Sequence, residues 1–259
     1  MHGAGNTFAV IDERPAILAR YDDLARELCA PMGVLGGADG LLVVLDEPGA
    51  EARMRVINAD GSEAEMCGNG VRCVARYLAD RGAGRAFTIA TLAGPIATEI
   101  VSRAPTFEAR IDVGRVTFPR DGRPESIEIA GELASFVEVS LGNPHAVIFV
   151  PDVDAIDLVA LGTALNECAR FPRGINVHIV ESTGPSTLRV RHFERGVGLT
   201  RACGTGAVAV AAVAIAVRGA TSPVAVRVPG GTLVVTWLPG GTATLAGPAE
   251  PLFERTLAR

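Results

Sequence analysis

The segment Met66-Cys67-Gly68-Asn69-Gly70 returns later in the chain as Ala202-Cys203-Gly204-Thr205-Gly206. Helix-like stretches follow both copies and stop at similar distances, near Gly82 and at Gly219, where glycine is a common helix terminator. The pattern predicts that each C-G-x-G motif opens a helix. The second stretch is apolar on every side, which predicts that its helix is buried at the centre of its domain.

Short β-branched or alternating segments, bounded by glycine, proline and aspartate, surround both predicted helices and are typical of strands. The first half contains Phe8–Ile11, Gly40–Leu45, Arg53–Ile57, Phe87–Ala90 and Glu108–Val113. The second half contains Phe136–Val139, Ala146–Val150, Asn176–Val180, Leu188–Phe193, Val224–Val228, Leu233–Trp237 and Ala243–Leu245. Hairpin turns are predicted at Pro229-Gly230-Gly231 and Pro239-Gly240-Gly241.

The internal repeat predicts two α/β halves, each a sheet packed on one buried helix. We place the first domain at residues 1–118, with Cys67, and the second at residues 119–259, with Cys203. The closing residues of the chain, 250–259, are expected to pack back on the first domain.

The composition of the 259 residues, 48% hydrophobic and 20% charged, is that of a folded protein with a sizeable core. A net charge of -5 with scattered basic residues argues against a nucleic-acid or membrane-binding patch. All 24 basic residues are arginine, and a chain without lysine can neither form a Schiff base with pyridoxal phosphate nor supply a P-loop lysine. We therefore expect a small-molecule partner.

Five cysteines, an odd number without a C-x-x-C pair, indicate a reducing cytosol rather than a disulfide framework. The four histidines show no zinc-ligand spacing, so no metal site is expected. The N-terminus lacks the pattern of a secretory signal, and the longest apolar run, Ala207–Val217, is too short to span a bilayer. These features predict a cytoplasmic protein without a membrane partner.

The placement of Cys67 and Cys203 directly before a predicted helix favours chemistry at sulfur. Unpaired backbone N–H groups and the positive end of the helix dipole stabilise a thiolate there, and the glycines of the motif let a ligand carboxylate approach the bare amides. The alternative is that the cysteines are ordinary buried residues and the glycines only form turns, but the duplication favours function. Three other cysteines lack this setting and are expected to be buried: Cys29, Cys73 and Cys168.

The asparagines allow two interpretations of equal weight. Most of the six stand next to glycine, proline or a strand end, where they either converge on a polar ligand or simply occupy turns. Asn166 lies inside a helix-like stretch and lacks this context.

The segment Phe193-Glu194-Arg195-Gly196 precedes Cys203 by a short loop. Arg195 could grip a carboxylate, and Glu194 could hold an ammonium group or pair with a histidine, although an isolated Glu-Arg is more often a surface ion pair. His145, beside Asn143, is either a core histidine or a proton-handling partner. The remaining histidines are expected to be structural: His2, His178 and His192.

As an ordered set, the motifs resemble those of the diaminopimelate epimerase family. The resemblance rests on Met1-His2-Gly3-Ala4-Gly5-Asn6, Asn58-Ala59-Asp60-Gly61-Ser62-Glu63, Gly142-Asn143-Pro144-His145, Glu194-Arg195-Gly196 and the two cysteine motifs, and it extends to Gly247–Phe253. It covers nearly the whole chain. The implied fold has two pseudo-symmetric α/β lobes, each a mainly antiparallel sheet wrapped around a central buried helix.

The resemblance implies a cofactor-independent inversion of one α-carbon of L,L-diaminopimelate, which gives the meso form used in lysine and peptidoglycan synthesis. Cys67 and Cys203 would be the two bases: one, as thiolate, removes the α-proton, and the other, as thiol, protonates the opposite face. His145 and Glu194 would adjust the thiol pKa values. A homodimer is also expected. The substrate-binding residues would be Asn6, Asn58, Gly68, Asn69, Asn143, Asn176, Glu194, Arg195, Gly204 and Thr205.

Two positions depart from the family pattern. Gly40 stands where glutamine is often found, which weakens the case for a substrate contact there. Leu199 stands where glutamate is common, and we expect this change to alter only the loop before Cys203.

Three other functions are compatible with parts of the pattern. A proline or hydroxyproline racemase would share the two-thiol fold, but Asn69 and Glu194-Arg195-Gly196 favour diaminopimelate, whose second amino-carboxylate end needs dedicated partners. A non-catalytic member that binds a small acid would have no need for both cysteines. A cysteine hydrolase using one thiol with His145 would leave the second C-G-x-G unexplained.

Overall fold

The computed structural model describes residues 1–14, 20–32, 36–129 and 132–254. The chain forms two compact units, of which the first comprises Met1–Asp112 and the segment from Ala246 onward, and the second comprises Val113–Leu245. The elements follow in the order β1 (His2–Gly3), β2 (Asn6–Asp12), α1 (Tyr21–Cys29), β3 (Gly40–Leu45), β4 (Ala52–Asn58), β5 (Glu63–Ala64), α2 (Gly68–Asp80), β6 (Ala86–Thr91), β7 (Gly94–Ser102), β8 (Glu108–Arg115), β9 (Glu125–Ile129), β10 (Glu132–Ser140), β11 (Pro144–Phe149), α3 (Leu158–Glu167), β12 (Asn176–Gly184), β13 (Thr187–Glu194), β14 (Gly198–Thr200), α4 (Gly204–Arg218), β15 (Val224–Val228), β16 (Gly231–Thr236) and β17 (Thr242–Pro248).

The first unit is built on a sheet with a helix on each face. Strand β2 runs parallel to β3, β3 antiparallel to β4, β4 parallel to β6, and β6 antiparallel to β7. Helix α1 covers one face, where its Leu28 joins a cluster with Leu41 and Val43. Because side chains alternate along a strand, Leu42 points to the other face, where it lies against Gly70 of α2.

The second unit repeats this arrangement. Strand β11 runs parallel to β12, β12 antiparallel to β13, β13 parallel to β15, and β15 antiparallel to β16. Helix α3 covers one face through Leu158 and Leu165, which pack with Val177 of β12. On the other face His178 lies against Gly206 of α4. The repeat in the sequence is thus a repeat of strand order, and the expected α/β class, dominated by sheet, is confirmed.

Both helices that C-G-x-G opens form where the sequence predicts them. Helix α4 ends at Gly219, whose φ of 73° lies in the left-handed region that favours glycine. Every residue from Gly206 to Ala214 is buried, as the all-round apolar sequence predicts. These buried residues are alanine, valine and glycine, so α4 presents small apolar side chains to its sheet.

Several elements were not predicted from the sequence. Helix α1 has only nine residues, which is too short for its apolar spacing to stand out. Strands β1, β5 and β14 are two or three residues long, and β7 and β9 carry polar residues that obscure a strand pattern. The predicted hairpin at Pro229-Gly230-Gly231 is confirmed, because Val228 pairs with Gly231 across β15 and β16.

We expect Gly40→Ala to destabilise the first unit. Gly40 pairs with Asn58 across β3 and β4, and a carbon added at its Cα would lie 2.7 Å from the carbonyl oxygen of Ile57. The backbone must shift to relieve this contact, which costs about 1–3 kcal/mol of unfolding free energy in denaturant titrations. Gly84→Ala is the control, because nothing lies within 4 Å of its added carbon. Equal stability of the two variants would contradict the prediction.

Candidate active site

Cys67 and Cys203 occupy the same backbone position, the N-cap of a buried helix. Cys67 has φ -140° and ψ 111°, and Cys203 has φ -126° and ψ 114°, so both are extended. At α3 the N-cap Asp157 accepts hydrogen bonds from two first-turn amides through its side chain. In the described chain α2 and α4 have no such N-cap oxygen and no acidic residue in the first turn. Both helix starts are therefore suited to an external anion.

Asn69 organises the start of α2. Its Nδ2 donates to Oδ1 of Asn6 at 2.7 Å, and its own Oδ1 accepts from Arg72 at 2.5 Å. Asn69 is buried, so these bonds fix the orientation of both amides. The side chain of Asn58 instead belongs to its own turn, where its Nδ2 donates to the Ser62 hydroxyl at 2.9 Å.

Arg72 is a residue of this site that the sequence analysis missed. Its side chain is 0% exposed, and besides Asn69 it donates to the carbonyl oxygen of Gly68. No described carboxylate pairs with it. Burial lowers the pKa of Arg72 to about 10, and negative charge at the thiols of Cys73 and Cys67 would oppose that shift. The buried cation therefore favours an anion at the start of α2.

Asn176 connects the predicted residues of the second unit. Its Oδ1 accepts from the Arg195 amide at 3.1 Å, and its Nδ2 donates to the carbonyl oxygen of Pro144 at 3.0 Å. Asn166 holds the preceding loop, because it both accepts from and donates to the backbone of Ile175. The Gly142-Asn143-Pro144-His145 and Glu194-Arg195 motifs, far apart in sequence, are thus joined through one amide.

Glu194 acts on Cys203. The Cys203 side chain is buried, with Sγ 3.7 Å from the Thr205 hydroxyl. Burial raises the pKa of the Cys203 thiol well above its ordinary value, and the charge of Glu194 and a hydrogen bond to it raise it further. The Gly206 amide and the Thr205 hydroxyl favour the thiolate and offset part of this shift. The surroundings therefore favour the thiol form of Cys203.

His145 contacts Asn143 on one side and a second histidine on the other. Its Nε2 lies 3.0 Å from Oδ1 of Asn143, and its Nδ1 lies 2.8 Å from Nε2 of His178. Burial, reinforced by His192 and Arg195, lowers the pKa of His145 to about 3, so the ring is neutral at pH 7. Both ring nitrogens are engaged, so within this unit His145 reaches the candidate site through Asn143. His178 and His192, expected to be structural, belong to the same cluster.

The two departures from the family pattern lie in strands. Gly40 is buried and pairs with Asn58, and Leu199 pairs with Phe193 across β13 and β14 with its side chain 50% exposed. Leu199 brings no charge to the segment before Cys203.

The other cysteines differ in burial, and no metal-binding cluster is present in the described part of the chain. Cys29 and Cys73 are buried, as expected, whereas Cys168 is only half-buried, and burial raises the pKa of Cys73 to about 12. Within the described ranges, no group of three or more His, Cys, Asp or Glu side chains is arranged to hold a metal ion. None of the described helices combines the length and apolar character needed to cross a membrane.

The family model for diaminopimelate epimerase matches residues 1–119 and 137–251 of the chain. A relative from Desulfitobacterium hafniense, named diaminopimelate epimerase, is 39% identical over 274 residues, which cover 99% of this chain and 96% of the relative. The chain belongs to the diaminopimelate epimerase family. The family that the motifs predicted is thus confirmed.

Solved structures outside the diaminopimelate epimerase family share the fold. A PhzF-family phenazine biosynthesis protein from Bacillus anthracis has a TM-score of 0.73 and 19% identity, over 96% of this chain and 92% of its own. A probable proline racemase from Agrobacterium radiobacter has a TM-score of 0.67 and 18% identity, over 95% and 88%. At these identities the likeness concerns the fold alone.

We expect Arg72→Met to slow the alkylation of Cys67 by iodoacetamide at pH 7 by about tenfold. Without the buried cation, the start of α2 stabilises an anion less well, and alkylation requires the thiolate. Mass spectrometry of the Cys67 peptide measures the rate. Arg76→Met is the control, because Arg76 lies one turn further along α2 in an ion pair with Asp80. Equal rates in the two variants would show that Arg72 does not act on the thiol.

We expect Glu194→Gln to lower the pKa of Cys203. A carboxylate beside a thiol disfavours the thiolate, so its neutralisation shifts the midpoint of the alkylation rate of Cys203 to lower pH. The midpoint is read from the pH dependence of modification of the Cys203 peptide. Glu181→Gln, which removes a carboxylate facing Arg189 on the same sheet, is the control and leaves the midpoint in place. A shift to higher pH in Glu194→Gln would contradict the assignment.

Proposed function

We propose that this protein inverts one α-carbon of L,L-diaminopimelate to give the meso form, without a cofactor. The observation that carries the proposal is the matched pair of N-cap cysteines, each followed by first-turn amides without a side-chain cap, in a chain of the diaminopimelate epimerase family. The product would supply lysine and peptidoglycan synthesis. In this proposal the protein is cytoplasmic and homodimeric, and its ligand is a small amino acid.

The proposed chemistry uses one cysteine from each lobe, Cys67 from residues 1–118 and Cys203 from residues 119–259. The thiolate forms an S–H bond as the α-C–H bond breaks, and the electron pair moves towards the substrate carboxylate. The S–H bond of the other cysteine breaks as its proton is delivered to the opposite face. The carbon is thereby inverted, the two sulfurs exchange protonation states, and the reverse reaction starts from that state.

The electrostatics favour different protonation states for the two sulfurs. The buried Arg72 cation favours an anion beside Cys67, while Glu194 favours the protonated form of Cys203. In the resting enzyme we therefore assign Cys67 as the thiolate base and Cys203 as the thiol acid.

The carbanion needs stabilisation, because an α-C–H bond is far less acidic than a thiol with a pKa of about 8.5. The first-turn amides of α2 and α4 would hold the reacting carboxylate as negative charge develops on it. Gly68 and Gly204 keep this approach free of side chains, while Asn69 and Thr205 stand at the next position of each helix.

The remaining polar residues would bind the rest of the substrate. Arg195 uses Nη1 to donate to the carbonyl oxygen of Arg173, and among the described residues its other side-chain N–H groups remain for a carboxylate. Glu194 would hold an ammonium group in addition to its effect on Cys203. The amides assigned to the substrate are those of Asn6, Asn58, Asn143 and Asn176.

The test is incubation of the reduced protein with L,L-diaminopimelate in D2O, followed by NMR. We expect meso product with solvent deuterium at one α-carbon, and no inversion of L-proline or L-glutamate. Inversion of L-proline instead would be compatible with the two-thiol chemistry but would show that the substrate is a different amino acid.

In the same assay Cys67→Ala and Cys203→Ala are each expected to abolish epimerisation, because inversion needs a base on one face and an acid on the other. Cys29→Ala is the control and keeps the wild-type rate, since Cys29 lies at the end of α1 outside the C-G-x-G motifs. Near-normal epimerisation by either active-site variant would point to a one-base mechanism.

A further inference from the structure

Three histidines from neighbouring strands lie side by side on the sheet face that α4 covers. His145 is on β11, His178 on β12 and His192 on β13, and His178 and His192 are direct cross-strand partners. All three are at most 1% exposed. Nδ1 of His145 lies 2.8 Å from Nε2 of His178, and Nδ1 of His178 lies 2.8 Å from Nδ1 of His192.

The middle ring is held firmly against α4. A carbon added at Gly206 would lie 2.6 Å from Cε1 of His178, so the imidazole occupies the space beside this glycine. Gly206 is three residues after Cys203, in the first turn of the helix. The row of histidines therefore packs against the first turn of the helix that Cys203 caps. It ends at Asn143, whose Oδ1 lies 3.0 Å from Nε2 of His145.

The hydrogen bonds in this row have one direction. Burial lowers the pKa of His145 and His192 to about 3 and that of His178 well below its ordinary value, so all three rings are neutral at pH 7. A neutral imidazole has one N–H donor and one acceptor. With Oδ1 of Asn143 as the final acceptor, the hydrogen must be on Nε2 of His145, on Nε2 of His178 and on Nδ1 of His192.

The far end of the row supports this direction. Nε2 of His192 is buried and has no hydrogen-bond partner among the described residues. With the hydrogens placed as above, Nε2 of His192 carries no hydrogen and presents only a lone pair. In the reverse direction it would be a buried N–H without an acceptor, and orphaned buried N–H groups are rare in proteins.

We propose that His178 and His192 are positioning residues, which fix the tautomer of His145 and so hold the Asn143 amide with its oxygen inward and its Nδ2 available to the substrate. The inference rests on the proposed function, in which Asn143 binds substrate. Among the described residues nothing accepts a hydrogen bond from Nδ2 of Asn143. Its two N–H donors are therefore left for an oxygen of the ligand, and a carboxylate is the oxygen group that the proposed substrate supplies.

The activity test compares His178→Met with His178→Gln. Methionine offers His145 only a weak acceptor, so the hydrogen of His145 moves to Nδ1, its Nε2 becomes an acceptor, and the Asn143 amide turns its oxygen to the substrate carboxylate. Glutamine keeps an N–H donor for His145 and an acceptor for His192. We expect His178→Met to raise KM for L,L-diaminopimelate about tenfold, with a smaller change in kcat, and His178→Gln to stay within about threefold of wild type. An equal KM in the two variants would leave His178 a purely structural role and overturn the proposal.

A second measurement needs no activity and no variant. Protein labelled with 15N-histidine, examined by long-range 1H–15N correlation NMR at pH 7, reports which ring nitrogen carries hydrogen. We expect the Nε2–H form for His145 and His178 and the Nδ1–H form for His192. The opposite tautomers, or an imidazolium, would overturn the proposal even if His178→Met fails to fold.

The two measurements also separate this inference from the proposed function. Absence of epimerisation by the wild-type protein would refute the function, while the tautomers would still decide whether the row is directed towards Asn143. Epimerisation together with the opposite tautomers would refute only the positioning role of His178 and His192.

Discussion

The first amides of a helix have no partners within the helix, and at α2 and α4 no N-cap side chain accepts hydrogen bonds from them. An aspartate N-cap would satisfy these amides and close the site, as Asp157 does at α3. A cysteine in extended conformation brings no side-chain oxygen to these amides and places its sulfur beside them. Because the two units repeat the same order of strand pairings, each unit packs its cysteine-capped helix on the corresponding face of its own sheet, α2 against Leu42 of β3 and α4 against His178 of β12.

The similar backbone conformations of Cys67 and Cys203 do not by themselves make one sulfur an acid and the other a base. Two thiols in identical surroundings would titrate together, whereas the proposed inversion needs one protonated and one ionised sulfur. The difference comes from neighbours outside the C-G-x-G motifs. Beside the first motif lies the buried Arg72, which has no carboxylate partner in the described part of the chain, and beside the second lies Glu194. A buried cation is costly to keep, and an anion beside it, which the proposed chemistry places at Cys67, would offset this cost.

The parts of the fold that depend on local chemistry could be predicted from the sequence. The boundaries of α2 and α4 can be predicted from glycines and apolar runs. The two cysteines can be singled out because each directly precedes one of these helices. Arg72 could also have been found, since helical spacing places it three residues after Asn69 on a face that is otherwise buried. The histidine row could not. His178 and His192 are 14 residues apart and His145 is 33 residues from His178, and they meet only through the register of β11, β12 and β13.

The composition of α4 explains why the row is continuous and where it ends. The helix presents alanine, valine and glycine to the sheet, so it offers the buried imidazoles no side-chain donor or acceptor. Buried ring nitrogens still need hydrogen-bond partners, and here those partners are the imidazoles of the neighbouring strands. The row therefore runs across the sheet until it reaches a polar group at the end of a strand, which is Asn143 just before β11. A residue assigned to the substrate is thus oriented by the apolar packing of the helix that carries Cys203.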